Sequence, residues 1–124
     1  MKTLKQMLEE ANAAVDAVPP RQAMTWLEDE TTVFIDLRDS AEIAADGAIP
    51  GAVHVDRGML EFRIDPKSPF HNPVFTSGKR LVFYCAGGGR SALAAATAIE
   101  MGLADVVHVQ GGLKAWKEAG GPTT

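Results

Sequence analysis

The stretch LVFYCAGGGRS, residues 81–91, decides the fold of this chain, together with the alanine-rich run that follows it. Four apolar residues, Leu81 to Tyr84, predict a buried strand. The alanine-rich run predicts a helix from about Arg90 to Met101. Between strand and helix lie Cys85, the only cysteine, and three consecutive glycines. A thiol is therefore expected at the end of a strand, beside a nearly bare backbone loop.

This loop has the chemistry of an anion cradle. From Cys85 to Arg90 it has six residues, and its middle four carry nothing larger than a methyl group. Such a loop can turn its N–H groups inward, and the helix that follows adds unpaired N–H groups and the positive end of its dipole. Both effects favour a nucleophilic thiolate. The candidate catalytic residue is Cys85, and the candidate substrate-binding residues are Ala86, Gly87, Gly88, Gly89, Arg90 and Ser91.

Arg90 is the only cation of the loop, and three roles for it remain open. Its guanidinium can anchor the loop by bonding backbone carbonyls, bind an anionic substrate, or do both. A phosphate-binding loop of the Walker type would need a lysine before Ser91, and the dinucleotide fingerprint would need a third spaced glycine. Neither is present, so an inert structural turn is the remaining alternative.

Strand and helix signals alternate along the rest of the chain. Strands are predicted at residues 15–18, 31–37, 52–55 and 106–109, and helices at 2–14, 20–28, 39–45 and 113–118. The pattern predicts a single three-layer α/β domain with a five-stranded, mostly parallel sheet flanked by helices. The amphipathic helix at 1–14 is an extra element before a domain at 15–124. Residues 56–79 are irregular because prolines interrupt them.

Composition and charge exclude several classes of function. A chain of 124 residues with net charge −4 argues for one domain that does not bind nucleic acid. No apolar run approaches a membrane span or a signal peptide, and a single cysteine suits a reducing compartment. We therefore expect a cytoplasmic protein without a membrane partner. One cysteine and three dispersed histidines show no metal-ligand spacing, so no metal and no cofactor are expected.

The three histidines, His54, His71 and His108, have no sequence relation to Cys85. We expect each to be a surface or hydrogen-bonded residue rather than a catalytic base. A thiolate held by backbone dipoles needs no histidine to make it reactive. Asp36 and Arg38 follow another predicted strand, and the carboxyl ends of parallel strands share one edge of a sheet. These two side chains are therefore expected near the thiol.

Four stretches together resemble a single-domain rhodanese, a sulfurtransferase homology domain. They are VFIDLRDSAE at 33–42, DGAIPGAVHV at 46–55, VFYC with Gly88, Arg90 and Ser91, and VHVQGGL with Ala115 and Trp116. The resemblance implies that Cys85 takes the outer sulfur of a donor as a persulfide and passes it to an acceptor such as cyanide or a thiol. It also implies that Asp36 and Arg38 support the site, with Arg38 paired to Glu42.

The identity of the donor stays open at this point. Rhodaneses efficient with thiosulfate often carry basic side chains inside the loop, and this loop has none between Cys85 and Arg90. Arg57, Arg63 or Lys67 of the irregular segment could supply the charge, with Arg57 taken as a supporting residue. The expected partner is a small sulfur-containing anion or thiol, and a persulfide or polysulfide is an alternative to thiosulfate as donor.

Two other functions compete with a free-standing sulfurtransferase. A cysteine phosphatase or arsenate reductase of related architecture also uses a thiolate in an arginine-closed loop, but the loop of the related phosphatases is one residue longer. A persulfide carrier or regulatory binding module would pass sulfur only to a docked partner, with the N-terminal helix as its docking element. A protein sulfur acceptor and a second copy of the chain, forming a homodimer, are the two protein partners considered.

Overall fold

The computed structural model describes all residues, 1–124, and confirms the alternation of strands and helices. The helices are α1 (Leu4–Ala14), α2 (Pro20–Met24), α3 (Ser40–Asp46), α4 (Leu60–Ile64), α5 (Gly89–Glu100) and α6 (Gly112–Glu118). The strands are β1 (Asp16–Val18), β2 (Thr32–Asp36), β3 (Val53–His54), β4 (Arg80–Tyr84) and β5 (Val106–Val109). No helix is long and apolar enough to cross a membrane.

The five strands form one parallel sheet in the order β1-β5-β4-β2-β3. The central strand is β4, and its neighbours are β2 and β5. Asp36 at the end of β2 is in register with Tyr84 at the end of β4, and Phe83 is in register with His108 of β5. All strands point the same way, so their carboxyl ends meet at one edge. Cys85 follows Tyr84 at that edge, as expected for a ligand site in such a sheet.

Apolar cores lie on both faces of the sheet, which explains why β2 and β4 are nearly continuous apolar runs. On one face, Ile35 and Phe83 pack with the alanines Ala94, Ala95 and Ala98 of α5, all fully buried. Small side chains let α5 approach the sheet closely, so the helix after the loop is held firmly.

Trp116 of α6 belongs to the second core, on the opposite face. Its ring meets Phe34 edge-on at 5.7 Å between centroids, and its Nε1 donates to the carbonyl of Pro122 at 2.9 Å. The side chain is fully buried. The side chain therefore holds the last helix against the sheet.

The N-terminal helix α1 covers the first core only in part. A capping box between Thr3 and Gln6 begins the helix, and Ala11 and the following Val15 are buried. Leu4, however, is 64% exposed. The predicted apolar stripe therefore packs at its carboxyl-terminal half and faces solvent at its amino-terminal half.

Several predicted elements differ from the structure in length; the strand predicted at 52–55, for example, covers only Val53–His54. The helix predicted at 20–28 ends at Met24, and residues 25–28 continue as turns. Within the irregular segment, 3-10 turns at 57–59 and 73–76 flank the short α4. The prolines limit these elements because each removes an N–H donor and fixes φ.

Candidate active site

Cys85 lies in the cradle that its sequence context predicts. The thiol is 1% exposed, and its Sγ accepts hydrogen bonds from the N–H groups of Gly88, at 3.1 Å, and Ser91, at 3.4 Å. Gly88 adopts φ +101°, a conformation that side chains rarely tolerate, and this turn aims the loop at the sulfur. The N–H groups of Gly87 and Gly89 make no hydrogen bond within the chain. They remain available to a group bound beside the thiol.

The outer side of the loop is anchored by α6 rather than by Arg90. The N–H of Leu113 donates to the carbonyl of Cys85 at 2.8 Å, and the N–H of Lys114 donates to that of Ala86 at 3.1 Å. Gly112 permits this contact, because a Cβ there would lie 2.6 Å from both carbonyl oxygens. Two of the orphan N–H groups at the start of α6 thus satisfy the loop carbonyls.

Arg90 binds Glu42 and makes no hydrogen bond to the sulfur. Its Nη1 and Nη2 donate to the two carboxylate oxygens at 2.7 and 2.8 Å, which makes a two-pronged pair between α5 and α3. The hydrogen bonds from Arg90 lower the pKa of Glu42 to about 2, and those to Glu42 raise the pKa of Arg90. The charge of Cys85 contributes a smaller part of that upward shift, so the guanidinium still acts on the thiolate through space.

The predicted pair between Arg38 and Glu42 is wrong. Arg38 is buried and binds Asp36, with its Nε 3.0 Å from Oδ1 and its Nη2 2.7 Å from Oδ2. Glu42 faces the other way, because the capping box with Asp39 directs α3 so that its first turn meets Arg90. Arg38 is close to Glu42 in the sequence and Arg90 is 48 positions away, so only the packing of the helices decides the pairing.

Asp36 is the centre of a buried polar cluster at the ends of β2 and β4. The Tyr84 hydroxyl donates to Asp36 Oδ2 at 2.6 Å and accepts from the N–H of Ile49 at 3.1 Å. Burial, together with the hydrogen bond to Asp36, raises the pKa of Tyr84. Arg38 donates in addition to the carbonyl of Gly47 at 2.7 Å. Asp36 and Arg38 therefore hold the segment after α3 against the strand that carries Cys85, without touching the sulfur.

Arg57 does not reach the thiol. Its Nη1 donates to Glu61 at 3.0 Å, and its side chain lines a cleft between α1 and α5 that also contains Arg90. A different cation lies closer to the loop. Lys114 lines a recess of about 240 Å³ that Ala86 and Arg38 also line. The sequence reasoning missed this lysine because α6 meets the loop only through the fold.

His108 is a hydrogen-bonded residue, as expected, but its sequence position did not indicate that it lies near the thiol. It is 3% exposed, its Nδ1 lies 3.1 Å from Ser91 Oγ, and Ser91 Oγ lies 3.6 Å from Cys85 Sγ. Burial lowers the pKa of His108. A signal existed, because His108 stands between two valines of a buried strand, where a polar side chain needs a partner. His54 and His71 lie elsewhere, in contact with Asp56 and Thr76.

The arrangement can stabilise negative charge on a sulfur atom. Backbone donors converge on Sγ, the amino terminus of α5 adds its dipole, and Arg90 supplies a nearby cation. No group of three or more histidine, cysteine, aspartate or glutamate side chains is arranged to hold a metal ion. Nucleophilic attack by the thiol is the chemistry that these residues support.

Comparison with known proteins places the chain beside several relatives. A protein of Rhodopseudomonas palustris described as a possible tyrosine phosphatase is 48% identical, with a TM-score of 0.97 over 100% of this chain and 96% of that one. A mouse thiosulfate sulfurtransferase/rhodanese-like domain-containing protein is 32% identical over 77% of this chain and 64% of its own length. A tRNA uridine(34) hydroxylase of Synechocystis is 33% identical over 85% of this chain.

The chain spans only part of the two curated relatives, about two thirds of the mouse protein and 37% of the hydroxylase. What they share with it is one domain. The sequence profile of the Rhodanese-like domain matches residues 19–119, which include every strand but β1 and the whole loop around Cys85. The chain therefore belongs to the rhodanese-like domain family.

Proposed function

We propose that the protein is a sulfurtransferase that moves a sulfane sulfur from a donor to a thiophilic acceptor through a persulfide on Cys85. The observation that carries this proposal is the cradle itself. Sγ accepts the N–H groups of Gly88 and Ser91, while those of Gly87 and Gly89 stay unpaired. A persulfide adds one sulfur atom and moves the negative charge of the thiolate onto it, and the unpaired donors suit this outer atom.

The reaction proceeds in two displacements. The Cys85 thiolate attacks the outer sulfur of thiosulfate, a persulfide or a polysulfide, and the donor's S–S bond breaks. Its electron pair leaves with the sulfite or thiolate. A thiol or cyanide then attacks the outer sulfur of the Cys85 persulfide, and the enzyme thiolate is the leaving group. This is a ping-pong scheme with one covalent intermediate.

The donor is anionic, and the cations around the loop support that class of substrate. Arg90 is bound to Glu42, which cancels much of its charge, whereas the ammonium group of Lys114 makes no ion pair. An anionic donor in the recess beside Ala86 would lie near two lysines, Lys114 and Lys117, and one carboxylate, that of Asp46. This placement supports the proposal that α6, rather than the bare loop, supplies the charge that attracts the donor.

A cysteine phosphatase is the rival enzyme, and the related Rhodopseudomonas palustris protein is described as a possible tyrosine phosphatase. Hydrolysis of a phosphate ester requires an arginine that forks to the phosphate oxygens. Here the fork of Arg90 is occupied by Glu42 at 2.7 and 2.8 Å, and the loop has six residues from Cys85 to Arg90. Both features favour sulfur over phosphate.

Intact mass measurement after incubation with thiosulfate, and separately with a polysulfide, tests the proposal. We expect a gain of one sulfur atom, followed by thiocyanate release and return to the original mass when cyanide is added. Cys85→Ser should keep the fold and lose the mass gain. A mass gain without turnover would favour the carrier alternative. No gain from any donor, together with hydrolysis of an aryl phosphate, would contradict the proposal.

A further inference from the structure

Four side chains from four elements form a continuous polar row that begins at the thiol. Cys85 Sγ lies 3.6 Å from Ser91 Oγ, which lies 3.1 Å from His108 Nδ1. His108 Nε2 lies 3.3 Å from Asn12 Oδ1 of α1. Cys85, Ser91 and His108 are all buried. The mechanism above uses only the first of them, so the rest of the row needs its own explanation.

The hydrogen bonds of Asn12 define which nitrogen of His108 carries the proton. Asn12 Nδ2 donates to the carbonyl of Leu8 at 3.0 Å, which leaves Oδ1 facing His108 Nε2. An amide oxygen only accepts, so Nε2 must carry the hydrogen in the neutral ring. Nδ1 is then the acceptor, and it lies 3.1 Å from Ser91 Oγ, whose single hydroxyl hydrogen has the Gly88 carbonyl at 3.2 Å as its other acceptor. The row is thus polarised, with a proton acceptor at the end of a path from the thiol.

No fixed charge competes with His108 for this role. The residues aligned with it on the neighbouring strands are Ala17 of β1 and Phe83 of β4, both uncharged. Asp16 is one position from Ala17 and so lies on the opposite face of the sheet. Burial is the only cause of the lowered pKa of His108.

The charged groups of the two helices that contact the ring are either paired or exposed, and none of them is hydrogen-bonded to His108; the unpaired ones are Lys5 and Glu9 of α1 and Glu100 of α5. Arg90, next to Ser91 at the start of α5, is bonded to Glu42, and on α1 Glu10 is bonded to Lys2. The titratable group that reaches His108 is therefore Cys85, through the Ser91 hydroxyl. Their ionisations are expected to be coupled, because a thiolate and an imidazolium stabilise each other in a buried site.

We propose that His108 is the proton acceptor for the Cys85 thiol, reached through the hydroxyl of Ser91 and held in place by Asn12. The S–H bond breaks and its proton passes to Ser91 Oγ, while the original Ser91 proton passes to His108 Nδ1. The electron pair stays on Sγ, which becomes the nucleophile. When the acceptor has taken the outer sulfur and the Cys85 thiolate is released, the proton returns by the same path. This proposal deepens the proposed function, because it rests on sulfur transfer as the use of the thiolate. The experiments that test it do not require sulfur transfer.

The pH profile of Cys85 alkylation by iodoacetamide tests the relay without any sulfur donor. His108→Asn keeps a polar group near Ser91 but cannot take up a proton. We expect the midpoint of its profile to move upward by about one pH unit. Ser91→Ala removes the hydroxyl and keeps the backbone N–H that binds Sγ, so it should shift the midpoint similarly. His71→Asn makes the same change at a histidine outside the row, and its profile should match the wild type.

The double variant, Ser91→Ala with His108→Asn, distinguishes a relay from two independent effects. If His108 acts through Ser91, the double variant behaves like Ser91→Ala alone. Equal shifts from His108→Asn in both backgrounds would overturn the relay, as would a wild-type profile for His108→Asn.

A measurement on the unaltered protein covers the case in which a variant fails to fold. The ring nitrogen resonances of His108 are followed by NMR against pH, before and after Cys85 is alkylated. We expect Nε2 to carry the proton in the neutral ring, and we expect alkylation to lower the midpoint of the His108 titration. An unchanged titration would refute the coupling. If the titrations of His108 and Cys85 are coupled but Cys85 takes up no sulfur from any donor, the relay is supported and the proposed sulfurtransferase function is contradicted.

Discussion

The pair between Arg90 and Glu42 makes a sharp prediction about both stability and reactivity. Glu42→Gln keeps the shape of the side chain and one acceptor oxygen but removes the charge. The pair bridges α3 and α5 through two hydrogen bonds of 2.7 and 2.8 Å. The Arg90 side chain is 43% exposed, so solvent screens the interaction, and the expected contribution is that of a good surface pair, about 1 kcal/mol.

This magnitude converts to a measurable shift in thermal unfolding. An unfolding entropy of about 2.1 cal/mol/K per residue gives about 0.26 kcal/mol/K for a chain of 124 residues. Loss of about 1 kcal/mol should therefore lower the Tm of Glu42→Gln by about 4 °C at neutral pH. Glu61→Gln is the matched control, because it breaks the exposed pair with Arg57 and should cost less than half as much.

The pH dependence of this difference follows from the pKa of Glu42, which is lowered from its ordinary 4.5 to about 2. A carboxylate whose folded-state pKa is depressed stabilises the fold above its unfolded-state pKa. The contribution is therefore complete above 4.5 and is lost as the pH falls toward 2. Urea unfolding of both proteins at neutral pH and at about pH 3 should show the difference shrinking in acid.

Reactivity should change in the opposite direction to stability. Without the Glu42 charge, Arg90 acts on the Cys85 thiolate with its full positive charge, so thiosulfate loading should rise about twofold to fivefold. Loading is measured by mass spectrometry at short times in Glu42→Gln and wild type. A loss of loading, or unfolding curves that coincide at neutral pH, would refute the view that Glu42 restrains Arg90.

Three further changes test other parts of the site. Gly112→Ala places a Cβ 2.6 Å from the carbonyl oxygen of Ala86 at a φ of +65°. We expect it to lower the free energy of unfolding by about 2 kcal/mol or more and to impair sulfur loading of Cys85. Unfolding and loading near the wild type would contradict this. Tyr84→Phe removes the hydroxyl that donates to the buried carboxylate of Asp36 at 2.6 Å. We expect urea unfolding to show a free energy of unfolding lower by about 2 to 3 kcal/mol. A loss below about 0.5 kcal/mol would contradict a stabilising role of the polar cluster around Asp36. Lys114→Gln should lower kcat/KM for thiosulfate about threefold, whereas Arg57→Gln should leave it within about twofold of the wild type. The reverse order would show that Arg57, in the irregular segment, attracts the donor instead of Lys114.

Much of the fold follows from local patterns in the sequence. The strand at Leu81–Tyr84, the glycine loop and the alanine-rich helix are encoded by apolar periodicity, by residues without side chains and by small residues that pack closely. The strand at 106–109 is predicted with its observed bounds, while the helix at 20–28 ends early. The end of a helix is harder to predict than its existence, because its last turn frays and passes into turns of similar backbone conformation.

The partners of the charged and polar side chains do not follow from local patterns. Arg38 is near Glu42 in the sequence, but the packing of α3 against α5 assigns Glu42 to Arg90, which is 48 positions away. Likewise, nothing local connects His108 with Ser91, since 17 positions separate them and strand β5 must lie beside β4 before they meet. Hydrogen bonds between distant residues depend on sheet register, which is a property of the whole fold.

By itself, the sequence determined that a lone thiol stands in a backbone cradle between a buried strand and a helix. It could do so because cysteine, glycine and alanine act here through local conformation and size. The tertiary structure alone decided what surrounds that thiol. It turned Arg90 toward Glu42, anchored the loop on α6 through Gly112, and brought Ser91, His108 and Asn12 into one row behind the sulfur. Those contacts join residues far apart in the chain, so the packing of the whole fold determines which side chains become partners.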